Sequence, residues 1–210
     1  MREKFYLVLI TVVFSFIHPL FAQRYLFDQP RLVVGGDAAY FRISFDEFEN
    51  VYKNKWGPSY GGFLGVNVYR SYYLVGKFGT FSQNGKQGVH EISGLNTADA
   101  KWDEKWYQVG VRLHPPLDSR WNSYYGFGFS FFKVNEVDQL SVLQTEKGTA
   151  DHEWGSGFYL ELGVEYFPLP YACLYGQFDL SSGGIRGNAG FEAMSVGGYR
   201  LAAGIAIYPF

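Results

Sequence analysis

A short pattern recurs four times along the chain: a glycine, an aliphatic residue, any residue, an apolar residue, then a stop. The copies are Gly65-Val66-Asn67-Val68, Gly110-Val111-Arg112-Leu113, Gly163-Val164-Glu165-Tyr166 and Gly204-Ile205-Ala206-Ile207. The last three run into Pro115, Pro168 and Pro209. Proline has no N–H for a ladder, so each copy reads as the end of a β-strand. Shortly after the first three stops a new alternating segment begins, Tyr72 to Phe81, Trp121 to Phe132 and Ala172 to Ser181. Such short connections are hairpin turns.

On the other side of each segment lie longer polar stretches, roughly Asp46 to Ser59, Gln83 to Glu104, Lys133 to Gly155 and Ser182 to Ser195. With a first strand over Gly36 to Phe45, the chain holds four hairpins, and its connections alternate short and long. That order predicts an all-β fold, an eight-stranded antiparallel up-and-down transmembrane β-barrel. Closure is what lipid demands, because an open sheet edge has no water to satisfy it.

A soluble barrel has the same alternation with its apolar face turned inward, so the residues on each face must decide. Phe158, Leu160, Leu162, Val164 and Tyr166 share one face of their strand, and Tyr159, Glu161, Gly163 and Glu165 the other. The last strand sets Tyr199, Leu201, Ala203, Ile205 and Ile207 against Arg200, Ala202, Gly204 and Ala206. Phe127, Phe129 and Phe131 succeed one another on a third apolar face. The polar faces are too rich in glycine for a water-facing surface, which sets them inside and the apolar faces in lipid. Tyr72, Tyr73, Trp121, Tyr171, Tyr208 and Phe210 gather at the turn side, and Trp56, Tyr60, Trp102, Trp106 and Trp154 at the loop side, as two interfacial aromatic belts.

The inward set then contains the cations Arg42, Lys77, Arg112 and Arg200 and the anions Glu161, Glu165 and Asp179, beside Asn67, Gln108, Ser130 and Gln177. Charges buried together must pair, and an eight-stranded barrel is just wide enough for side chains to fill. The expectation is a polar network plugging the lumen rather than an open pore.

The N-terminus reads as a secretory signal peptide over residues 1–22. Met1-Arg2-Glu3-Lys4 leads into an apolar run from Phe5 to Phe21, with cleavage expected after Ala22 and the barrel occupying 23–210. The formal charge of −2 excludes the basic face that nucleic acid requires. The single cysteine, Cys173, makes no internal disulfide and reads as a small buried side chain. No Cys, His or carboxylate spacing suggests a metal site, and no cofactor is expected. His152-Glu153-Trp154-Gly155-Ser156 puts a histidine and a serine near a strand end. It lacks the third group that orients a general base, so an enzyme is not expected. The third long stretch contains Val137, Leu140, Val142 and Leu143. These are too apolar for a free coil, so β-structure should continue past the membrane as a hairpin ridge able to pair with a partner by strand addition.

A final amphipathic strand with Gly204, Tyr208 and Phe210 resembles the C-terminal signal by which outer-membrane barrels are recognised for assembly, although Pro209 departs from its usual pattern. From about Leu32 to Phe210 the chain resembles the small eight-stranded outer-membrane barrels of the OmpX and OmpA-barrel type. The resemblance implies residence in the outer membrane, with lipid and lipopolysaccharide around the wall, contact with the barrel-assembly machinery, and an envelope protein partner reached through the loops. Relatives of the same architecture include lipid A-modifying enzymes and narrow pores for small or hydrophobic solutes, and these remain the alternatives.

Overall fold

A computed structural model describes residues 30–45, 48–52, 54–88, 97–115, 120–138, 152–185 and 194–209. The proposed signal segment, His90, Phe210 and the apolar tip of the third long loop lie outside the described residues. In chain order the elements are β1 (Leu32–Ile43), α1 (Phe48–Tyr52), β2 (Trp56–Tyr69), β3 (Tyr72–Gly88), β4 (Thr97–Leu113), β5 (Trp121–Asp138), β6 (His152–Leu169), β7 (Ala172–Ile185), β8 (Met194–Val196) and β9 (Gly198–Ile207). β8 and β9 are two parts of one strand, broken at Gly197, whose φ of 90° is a glycine conformation. All neighbours pair antiparallel, β1 with both β2 and β9, and the ring closes through β6–β7 and β7–β9. The fold is a closed eight-stranded antiparallel barrel.

The alternation seen in the sequence becomes two surfaces. Leu64, Leu74, Val109, Phe127, Phe129, Leu160, Leu162, Leu201 and Ile205 all point outward and are exposed. Among the described residues no helix is long and apolar enough to cross a membrane. Tyr69, Tyr72, Trp121 and Tyr171 end this apolar wall on the turn side, and Tyr60, Tyr107, Trp154 and Tyr199 on the loop side. Four residues expected in these belts are elsewhere: Tyr73, Trp102, Trp106 and Tyr208 are buried inside the barrel. Their aromatic character suggested an interface, but strand parity turns them inward.

Inside, the excess of glycine and the excess of aromatics prove to be one feature. Gly35 is the ladder partner of Phe63, Gly79 of Trp106, Gly128 of Tyr159, Gly163 of Tyr124 and Gly204 of Tyr175. At each pair the ring lies where the glycine's Cβ would stand. A narrow lumen accepts large rings only where the facing residue contributes no side chain.

The long connections are shorter than their composition suggested. β3 runs to Gly88 and β4 starts at Thr97, while β5 runs to Asp138 and β6 starts at His152. Two hairpins therefore project beyond the apolar wall, the second of them the ridge expected from the sequence. The first long stretch instead holds α1. Its Phe48 and Tyr52 are buried against Ile43, Phe81 and Trp102 at the loop-side mouth.

Candidate functional site

The lumen is filled in three layers. At the turn side Val33, Phe63, Tyr73, Val75, Cys173, Tyr175, Ala206 and Tyr208 form one apolar and aromatic cluster. At the loop side Phe41, Phe81, Trp102, Trp106, Phe132 and Ile185 form another, under the lid of α1. Between them the strands deliver charges from six positions, each fixed by its parity in a ladder that cannot slip without turning its apolar set inward.

These charges form one continuous chain. Arg112 on β4 grips Glu161 on β6 with two bonds, Nε to Oε1 at 2.7 Å and Nη2 to Oε2 at 3.0 Å. Lys77 on β3 bridges Glu161 Oε2 at 2.8 Å and Asp179 Oδ1 on β7 at 2.7 Å. Arg200 on β9 meets Asp179 Oδ2 at 2.9 Å with Nη1 and Asp37 on β1 with Nη2. Lys77, Arg112 and Arg200 thus balance Asp37, Glu161 and Asp179, and the interior carries no net charge from this chain. Each cation also faces a ring: Arg112 lies 4.3 Å from both Phe63 and Tyr124, Lys77 5.0 Å from Tyr159 and Arg200 5.6 Å from Trp106. Gln177 ties in the remaining oxygens, donating to Asp179 at 2.7 Å and accepting from the Tyr124 hydroxyl at 2.6 Å.

Glu165 stands apart, nearer the turn side. It accepts from the Tyr208 hydroxyl at 2.6 Å and from Asn122 at 3.3 Å, with His114 Nδ1 at 3.6 Å. The His114 ring stacks on Tyr124.

Of the residues singled out from the sequence, Lys77, Arg112, Glu161, Asp179 and Arg200 share this chain, and Glu165 lies beside it. Arg42 does not. It sits on the outward face at the loop-side rim, its guanidinium 5.8 Å from the exposed Tyr199 ring. Phe41 and Ile43 are the inward residues at that end of β1, so the intervening arginine points outward, its stem along the rim. The inward charge of β1 is instead a carboxylate, Asp37, paired with Arg200 and not singled out from the sequence. The run Gly35-Gly36-Asp37-Ala38-Ala39 has no side-chain contrast from which parity can be read.

Glu104 was also missed. It is fully buried among the loop-side rings, with its Oε2 accepting from the Trp102 indole N–H at 3.3 Å. Its strand neighbours Asp103 and Lys105 face outward, so β4 has left the apolar wall there. Burial pushes the carboxyl up to about 7, against the opposing effect of the Trp102 bond.

Of the proposed assembly residues, Gly204 faces Tyr175 across the ladder and Tyr208 bonds Glu165. Ser156 faces outward, in ladder register with Phe131. Among the described residues no three His, Cys, Asp or Glu side chains converge as a metal site requires.

Fold and site together define a closed eight-stranded antiparallel barrel with an apolar belt outside and a charge-compensated, filled interior. Solved structures share the barrel fold. Neisserial surface protein A matches with a TM-score of 0.58 at 14% identity, over 85% of this chain and 97% of that one. The outer membrane protein OprG from Pseudomonas aeruginosa matches with a TM-score of 0.52 at 14% identity, over 84% and 94%. No protein-family model matches the sequence, and no curated protein matches it.

Proposed function

We propose that the chain is an exported, non-enzymatic outer-membrane barrel that serves as a sealed scaffold, displaying its loop-side hairpins to a partner in the envelope. The observation that carries this reading is the filling of the lumen: a neutral charge chain between two aromatic clusters, lidded by α1. With the interior occupied, the surfaces left for recognition are the wall and the projecting ends of β3–β4 and β5–β6. An apolar outer wall and a closed sheet support a membrane location. The assembly role of Gly204, Tyr208 and Phe210 belongs to the same reading.

Planar-bilayer recording of the purified barrel tests it. The expected result is a silent bilayer, and steady, large openings would overturn the scaffold reading in favour of a pore. Affinity capture from native envelopes should recover a protein partner that is lost when the β5–β6 hairpin is shortened to its membrane edge.

A further inference from the structure

Lys105 on β4 and Lys133 on β5 are direct ladder partners, and both lie on the outward face. Like charges opposite one another destabilise a sheet, and among the described residues no carboxylate is paired with either ammonium. The next outward residue of β4, Asp103, is held by Lys101 at 2.9 Å and feels Lys105 only at longer range. Lys133 lies 5.8 Å from the Trp154 ring, which stacks on Tyr107. The pair therefore crowns the loop-side aromatic belt, at the depth of lipid headgroups.

Immediately toward the wall from Lys105 is a groove of about 290 Å³. Tyr60, Phe78 and Tyr107 wall it, the paired glycines Gly61 and Gly79 line it with backbone, and Lys105 closes its loop-side end. An apolar groove on the outer wall ending at two lysines that face each other across the ladder has the shape and charge of a site for an acylated phosphate.

We propose that this groove and the Lys105/Lys133 pair bind lipopolysaccharide, one acyl chain lying along the groove and a lipid A phosphate seated between the two ammonium groups. A phosphate there converts the repulsion into two charge-assisted contacts. The site rests on the outer-membrane reading above, taken with the short turns periplasmic and the longer connections on the outer leaflet, as is general for such barrels.

Native mass spectrometry of the refolded barrel with bis-phosphorylated lipid A, dephosphorylated lipid A and phosphatidylglycerol provides the test. The wild type should retain bis-phosphorylated lipid A at least tenfold better than either of the others. K105A/K133A should lose that advantage, and the turn-side control R120A should keep it. Retention by K105A/K133A, or equal binding of dephosphorylated lipid A or of phosphatidylglycerol, overturns the proposal. A second readout is the sign of the stability change for K133A alone: a higher unfolding midpoint in zwitterionic detergent, where repulsion is relieved, and a lower one in bilayers containing lipopolysaccharide. The same sign in both overturns it as well. A chain that neither inserts into vesicles nor shows heat-modifiable migration on a gel would sink the barrel reading itself. A chain that inserts but ignores the lysine substitutions sinks only this site.

Discussion

Arg112 shows how much one side chain can carry in a narrow barrel. It bonds Glu161 through two nitrogens while lying between the Phe63 and Tyr124 rings. Its replacement by methionine leaves Glu161 with Lys77 as its one remaining cation. The expected loss is about 3–5 kcal/mol, the usual cost of breaking a buried pair from one side. A urea midpoint in vesicles measures it, and R112M/E161Q should recover part of the loss because no half-compensated carboxylate remains. Glu104 carries the pH dependence of the cap. Its carboxyl titrates near 7 when packed, against 4.5 for the ordinary group. Between those values the packed form holds a proton that the opened form has released. Cap stability should therefore be full below pH 4.5 and fall as pH rises to about 7, by up to about 3 kcal/mol, then level off. Fluorescence of Trp102 followed against pH checks the slope, and E104Q should abolish it.

At the scale of elements, α1 is too short to be stable by itself and holds its place through Phe48 and Tyr52. Phe48 is fully buried against Tyr52, Phe81 and Trp102. F48A should cost the cap about 3–5 kcal/mol and leave the ladders between the belts intact. Hydrogen exchange should then speed at the loop-side ends of β3 and β4, with protection at Val75 and Val109 unchanged. Equal acceleration at all four places would mean that the lid and the barrel form one cooperative unit. The broken strand β8–β9 has a different logic. Gly197 adopts a φ of 90° with the Ser181 carbonyl close by, letting the strand re-enter the sheet after an interruption.

For the whole molecule, the governing contrast is between an apolar wall and a filled polar interior. Phe127 stands near the middle of the outward face of β5, between Trp121 at one belt and Phe131 near the other. F127K should destabilise the inserted barrel by about 2–4 kcal/mol, while leaving its migration in detergent, where the ammonium reaches water, almost unchanged. A soluble barrel would tolerate this exposed substitution in both settings, so the comparison tests the membrane reading directly.

The architecture was legible because periodicity and punctuation are local. Gly163-Val164-Glu165-Tyr166 ending at Pro168 marks a strand and its exit, and Phe158, Leu160 and Leu162 set its outer face without reference to any other strand. The same local evidence placed Lys77, Arg112, Glu161, Asp179 and Arg200 on inward faces. Parity failed where side chains gave no contrast, at Gly35 to Ala39, and so Arg42 was exchanged for Asp37. It failed again where chemistry misled, because Trp102, Trp106, Tyr73 and Tyr208 look interfacial and are core. Which cation meets which carboxylate, which glycine faces which ring, and that Phe48 caps the mouth were decided only by the closed barrel. Those contacts join strands far apart in sequence, and only shear and closure bring them to one height in the lumen.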